Sequence, residues 1–172
     1  MSPAIVLDAG AFDVLDTSTG TALRALLRRA AERGGETKSP AVVLAEVCRG
    51  AARTRRVEAA LARDRDGQRI RIVPTDERLA KLVGAVLYAA GRGSEALADA
   101  HVVAVCAASD AAVVVSSDPD DIAALAPGVP GVHQSEGSGY GRRRRPVTAP
   151  VRRGPDASAS VSTRTQCTRL IR

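Results

Sequence analysis

Two short apolar runs without polar alternation most constrain the fold of this chain. Residues 4–7 read Ala-Ile-Val-Leu, and residues 111–115 read Ala-Ala-Val-Val-Val. A strand with one face in water alternates apolar and polar residues, whereas a strand buried on both faces is apolar throughout. Apolar positions at helical spacing lie between the two runs, as in residues 21–33. Because strands alternate with helices, the sequence predicts an α/β fold with three layers, in which helices cover both faces of a central, mostly parallel sheet.

The other predicted elements follow from periodicity and from turn residues. A short extended segment starts at Ser39-Pro40 and runs into a helix that carries Glu46, which Gly50 breaks or ends. Further helices are predicted at 54–66, 77–90, 94–108 and 120–125. Further strands are predicted at 69–73 and 129–132.

Charge and composition divide the chain into two parts. The net charge of +6 is unevenly spread, because residues 1–133 hold 16 basic and 17 acidic side chains, whereas residues 134–172 hold nine arginines and two acids. The second part has no hydrophobic period, so it cannot bury enough apolar surface to offset chain entropy. We therefore expect a folded domain over 1–133 and a basic, disordered tail over 134–172.

Cysteine content and hydropathy exclude several classes of protein. The three cysteines are far apart and form neither a CxxC pair nor a cluster with histidine, which argues against a disulfide framework or a structural zinc site. No apolar run reaches the roughly 18 residues of a membrane span, and no basic segment precedes an apolar stretch at the N-terminus. We therefore expect a cytoplasmic protein.

Four carboxylates are placed where a divalent-metal site would need them. Asp8 and Asp118 follow the two apolar strands, and the carboxyl ends of parallel strands meet at one edge of a sheet, where ligands bind. Glu46 is surrounded by apolar residues in its helix, and Asp99 precedes a strongly apolar helical block. Carboxylate oxygens are the ligands that Mg²⁺ prefers. The four acids are therefore candidates both for metal binding and for catalysis.

Each of these acids also has an ordinary structural interpretation. Asp8 could cap a turn, and Asp99 would gain from the helix dipole even without a metal. Asp118 followed by a proline is a helix N-cap signal, which is compatible with metal binding because a carboxylate has two oxygens. Asp121 is a plausible outer ligand. His101 fits a core position better than a ligand position.

Four segments together resemble the PIN-domain family, most closely the VapC-type ribonuclease toxins. They are residues 5–11 around Asp8, residues 40–50 around Glu46, residues 98–103 around Asp99 and residues 113–121 around Asp118. The resemblance spans about residues 3–133, and its specificity comes from all four segments occurring in the right order.

This resemblance implies a fold, an activity and partners. It implies a PIN-like α/β/α fold and Mg²⁺- or Mn²⁺-dependent cleavage of RNA that leaves a 5′-phosphate and a 3′-hydroxyl. It also implies inhibition by a small cognate antitoxin and assembly into a homodimer. The acidic quartet of the family matches Asp8, Glu46, Asp99 and Asp118, and its site-ordering hydroxyl matches Ser116.

RNA also requires cations near an acidic site, since like charges would repel phosphate. If the helix carrying Glu46 continued, three arginines would lie on one side of it: Arg49, Arg53 and Arg56. Two other functions stay open. One is a catalytically inactive PIN-like module that binds RNA or protein. The other is a receiver-like signalling domain, which fits less well because neither lysine, Lys38 or Lys81, is predicted on a later strand.

Overall fold

The computed structural model describes residues 2–15, 17, 20–62 and 69–126, and the backbone of 132–135 and 165–168. Its strands are β1 (Ala4–Leu7), β2 (Thr37–Pro40), β3 (Ile70–Val73), β4 (Ala112–Val115), β5 (Val132–Ser135) and β6 (Thr165–Thr168). Its α-helices are α1 (Ala9–Leu15), α2 (Thr21–Glu32), α3 (Ala41–Val47), α4 (Ala51–Leu61), α5 (Glu77–Ala89), α6 (Leu97–Ala107) and α7 (Pro119–Leu125). A short 3₁₀ turn, Ser94–Ala96, precedes α6.

The central sheet has four parallel strands in the order β3-β2-β1-β4. β1 lies inside the sheet, where Ile5 pairs with Thr37 of β2 and with Val113 of β4. All four residues of β1 are buried, as the unbroken apolar run predicts. The predicted α/β fold with a mostly parallel central sheet is therefore confirmed.

Helices cover both faces of this sheet. α1 and α2 pack against β1, and α6 packs against β1, β2 and β4 while contacting α5 and α7. Every residue of α6 from Ala100 to Cys106 is buried, which explains why this helix is apolar on all sides. Because all four strands run in one direction, Asp8 after β1 and Ser116 after β4 lie at the same sheet edge.

Most predicted elements are present, with shifted ends. The helix predicted at 54–66 begins earlier, at Ala51, and is described as far as Leu61. The helix predicted at 94–108 is divided into the 3₁₀ turn and α6. Asp76 caps α5 by accepting a hydrogen bond of 2.7 Å from the Leu79 amide, as its place before an apolar helix indicates.

Most of the chain after residue 126 lies outside the described residues. A strand was expected at 129–132, but residues 129–131 lie outside the described residues, and β5 covers Val132–Ser135. β5 pairs in parallel with β6 in a separate two-stranded sheet. The remainder of 134–172 lies outside the described residues, so the division at residue 133 stays a prediction. Within the described ranges, no helix is long and apolar enough to cross a membrane.

Candidate active site

Asp8 is the most buried acid of the site, with 7% of its surface exposed. Its Oδ1 accepts a hydrogen bond from the Ala9 amide at 2.5 Å, and its Oδ2 accepts one from the Ser116 hydroxyl at 2.7 Å. A buried carboxylate is costly unless such donors surround it. Each oxygen has a second lone pair, so both can still bind another group. Asp8 is thus a fixed oxygen donor at the carboxyl edge of the sheet.

Ser116 joins the two strand ends that carry Asp8 and Asp118. Besides donating to Asp8, its Oγ accepts a hydrogen bond of 3.0 Å from the Asp118 amide. The Asp8 amide in turn donates to the Val115 carbonyl at 3.1 Å, which extends the pairing of β1 with β4 by one residue. The structure therefore places the Ser116 hydroxyl beside the first acid of the quartet.

Gly10 allows the start of α1 to touch the loop between β4 and α7. A Cβ atom added at Gly10 would lie 2.6 Å from the Ser117 Cβ and 3.0 Å from the Ser117 amide nitrogen. Real Cβ atoms do not come so close to such atoms, so any side chain at residue 10 would displace this loop. Both residues lie in the segments that resemble the PIN-domain family, but neither was predicted to have a role. The available signal was a glycine in the first turn of a helix, where it weakens the helix unless packing requires it.

Asp118 occupies the N-cap position of α7, with Pro119 at the start of the helix, as the sequence predicts. Its side chain nevertheless accepts no capping hydrogen bond and is exposed. The carboxylate of Asp118 is therefore not used in capping the helix. Asp121 lies three residues later in the first turn of α7 and is also exposed.

Asp99 lies in the first turn of α6 and is half-buried, and Glu46 lies near the end of α3, which contacts α6. The pKa of the Asp99 carboxyl is raised to about 6. Burial is the largest cause of this shift, and charge repulsion from Asp8, Asp121, Glu46 and Asp118 supplies the remainder, in that order. The structure thus places Asp8, Glu46, Asp118 and Asp121 within electrostatic reach of Asp99.

The donor set of this cluster fits a hard divalent cation, because all five acids offer carboxylate oxygens. Repulsion from the other four carboxylates adds to burial in raising the pKa of Asp99, and a bound cation would offset this repulsion. Among the residues that the structure describes, however, no three acid, histidine or cysteine side chains are close enough to hold a metal ion as placed. Binding would therefore need rotation of the more exposed side chains or bridging waters, several of which Mg²⁺ retains in proteins.

His101 lies in the core rather than at a metal. It is buried, and its Nδ1 lies 2.8 Å from the Leu97 carbonyl oxygen, one helical turn earlier. A carbonyl can only accept, so Nδ1 must carry the hydrogen. This placement agrees with the prediction that His101 is a core residue.

The three arginines do not lie on one continuous helix. α3 ends at Val47, and Gly50 has a φ of 87°, a backbone conformation that favours glycine, so the chain turns before α4 begins. The break predicted at Gly50 is therefore present, and the helix that carries Glu46 does not continue to the arginines. Arg49 lies exposed in the connection, whereas Arg53 and Arg56 are on α4.

Arg53 and Arg56 line an open cleft of about 170 Å³ together with Phe12, Asp13 and Val57. The Arg53 Nη2 lies 2.6 Å from the Asp13 Oδ1. Asp13 is on α1, the helix that starts directly after Asp8. The cleft is therefore lined by the helix that begins directly after Asp8.

Comparison with known families identifies the fold. The sequence model of the PIN domain matches residues 5–126, which is more than half of the chain, so the protein belongs to the PIN-domain family. PIN domains are typically nucleases that use divalent metal ions. A search of curated proteins found no match.

Proposed function

We propose that this PIN-domain protein is a metal-dependent endoribonuclease that cleaves RNA phosphodiester bonds. The observation that carries the proposal is that four carboxylates from three other segments of the chain act electrostatically on Asp99. A cluster of mutually repelling acids costs stability, and a divalent cation is the simplest ligand that offsets this cost.

The residues proposed to hold Mg²⁺ or Mn²⁺, and thereby to be catalytic, are Asp8, Glu46, Asp99 and Asp118. Asp121 is proposed as an outer ligand, since its charge also acts on Asp99. When bound, divalent ions can activate water and stabilise the leaving oxygen of a phosphodiester. The chain itself orients the donors, because the Ala9 amide and the Ser116 hydroxyl fix both oxygens of Asp8.

RNA contacts are proposed for Arg49, Arg53 and Arg56. A phosphate chain approaching five carboxylates is repelled unless cations also face it. Arg49 is exposed next to the end of α3, and the other two line the cleft beside α1. These side chains would position the strand without reading its sequence.

We further propose that the protein is the toxin of a VapBC-like toxin–antitoxin pair, inhibited by a small antitoxin and assembled as a homodimer. The support is the resemblance of the four acidic segments to VapC-type toxins. A growth test addresses this role: induced expression should arrest growth, and the Asp8→Asn and Asp99→Asn variants should not.

Cleavage of end-labelled RNA by the full chain tests the enzymatic proposal. Activity should require Mg²⁺ or Mn²⁺, stop with a chelator, and fall at least about 100-fold in Asp8→Asn and Asp99→Asn. Asp110→Asn is the matched control, because Asp110 is exposed at the opposite edge of the sheet, just before β4. Metal-independent RNA binding without cleavage in any divalent ion would instead identify the inactive binding module.

A further inference from the structure

The cleft between α1 and α4 is distinct from the acidic cluster and has its own floor and rim. Phe12 and Val57 form an apolar floor and are each 5% exposed. Asp13, Arg53 and Arg56 form the charged rim. The side chains of Arg53 and Asp13 are 41% and 61% exposed, so a ligand in the cleft can reach both.

The position of the cleft suits the strand that would be cut. Asp13 follows Asp8 by five residues, which is roughly 7 Å along a helix. α1 also contacts α3, which carries Glu46, and α4, which carries the two arginines. A nucleic-acid strand bound at the acidic cluster would therefore have the cleft nearby.

The charge of the cleft favours an anion but is partly blocked. Two guanidinium groups and one carboxylate line the cleft, and α4 carries a further arginine, Arg55, and one acid, Glu58. The ion pair between Arg53 and Asp13 opposes the binding of an anion at Arg53. Exposed ion pairs of this kind contribute little to stability, whereas a guanidinium can bind phosphate through two charge-assisted hydrogen bonds.

We infer that this cleft is a binding site for a backbone phosphate of the RNA, and that the phosphate displaces Asp13 from Arg53. This inference rests on the proposed ribonuclease function and adds to it the exchange of Asp13 for a phosphate at Arg53. Without RNA, Asp13 holds the Arg53 guanidinium at the cleft. With RNA, Asp13 is a competing anion, so it lowers affinity.

Binding of the full chain to a fluorescein-labelled single-stranded RNA of mixed sequence, in EDTA, tests the exchange. Arg53→Gln should weaken binding roughly tenfold, the size expected for one charged contact, and should reduce the salt dependence by about one counterion. Asp13→Asn should tighten binding. In the Asp13→Asn/Arg53→Gln double variant this gain in affinity should vanish, because the guanidinium for which Asp13 and the phosphate compete is absent.

Arg55→Gln is the matched control, since Arg55 is exposed on the same helix and does not line the cleft. Its effect should be small, and all variants should unfold at temperatures similar to that of the wild type. Equal weakening by Arg53→Gln and Arg55→Gln would overturn the inference, because it would indicate general charge attraction. A gain from Asp13→Asn that persists without Arg53 would also overturn it.

Cleavage kinetics separate this inference from the proposed function. If the wild type cleaves RNA but Arg53→Gln leaves KM unchanged, the inference fails and the ribonuclease stands. If the wild type binds RNA through Arg53 but never cleaves it, the proposed function fails and the phosphate site stands. If Arg53 is needed for binding poly-glutamate and not RNA, the cleft belongs to an acidic protein partner and the inference is wrong.

Discussion

The Ser116 hydroxyl donates a hydrogen bond to the Asp8 carboxylate across 108 residues of sequence. The bond is buried and links the ends of two neighbouring parallel strands, β1 and β4. The bond holds the Asp8 carboxylate in one orientation and leaves a lone pair on each oxygen available to a ligand. The same hydroxyl accepts from the Asp118 amide, so a single side chain sets the relative position of two acids of the cluster.

Replacing Ser116 should therefore impair catalysis more than folding. Ser116→Ala removes the donor to Asp8, and the loss of such a partner behind a ligand lowers metal affinity or activity about 10- to 100-fold. Ser116→Thr keeps the hydroxyl and should recover most of the cleavage rate, measured on labelled RNA at saturating Mn²⁺. Equal activity of the wild type and Ser116→Ala would show that Asp8 needs no such partner.

A methyl group at Gly10 should disturb the same loops by steric contact. Gly10→Ala places a Cβ against the Cβ and amide of Ser117, so the loop that carries Ser116 and Asp118 must move. Overpacking of this kind costs about 1–3 kcal/mol of unfolding free energy, and the RNA cleavage rate should also fall.

Ser117→Gly provides the control for this change. The Gly10→Ala/Ser117→Gly double variant removes the Ser117 Cβ and should recover part of the lost cleavage rate and stability. The recovery is measured as a coupling energy in a double-mutant cycle. If the effects of the two substitutions simply add, residues 10 and 117 are not energetically coupled.

The strands and the acids could be predicted from sequence because their signals are local. An apolar run that ends in aspartate indicates both the strand and the edge at which the carboxylate lies, as for Asp8 and Asp118. The predicted N-cap position of Asp118 was also correct, but the Asp118 side chain accepts no capping hydrogen bond.

The features that sequence analysis missed depend on contacts between distant segments. The approach of Gly10 to Ser117 and the pairing of Asp13 with Arg53 are visible only once β4 lies beside β1 and α4 beside α1. The turn at Gly50 was suspected, but its φ of 87° was needed to show that Arg49 and Arg53 lie in different elements. A tertiary contact leaves no periodic trace in the sequence.

Removing the charge of Asp99 should stabilise the metal-free protein at neutral pH. The pKa of Asp99 is raised to about 6 from 3.8, so between these values the folded state binds more protons than the unfolded state. The contribution of Asp99 to unfolding free energy therefore grows more favourable as pH falls from 7 toward 4. Asp99→Asn removes this dependence and should raise the melting temperature in EDTA at pH 7 by about 2–4 °C, which corresponds to roughly 1 kcal/mol for a chain of this size.

Thermal unfolding of both proteins in EDTA from pH 5 to pH 8 checks this prediction. The difference between them should shrink as pH falls, because protonated Asp99 resembles asparagine. Solvent screening limits the effect, since the carboxyl is only half-buried. A destabilised Asp99→Asn protein at pH 7, with an unaffected Asp110→Asn control, would contradict the electrostatic origin of the raised pKa.

A divalent cation should reverse the order of stability. An ion bound only by the folded state at 100 times its Kd adds about 2.7 kcal/mol to the unfolding free energy. Mn²⁺ should therefore raise the melting temperature of the wild type and do little for Asp99→Asn, so the more stable variant without metal becomes the less stable one with it. This crossing separates ligation from general charge screening, because a monovalent salt at the same ionic strength would reproduce the screening but not the ligation. If Mn²⁺ raises the melting temperature of the wild type and of Asp99→Asn equally, Asp99 does not bind the ion, and the proposed quartet has to be revised.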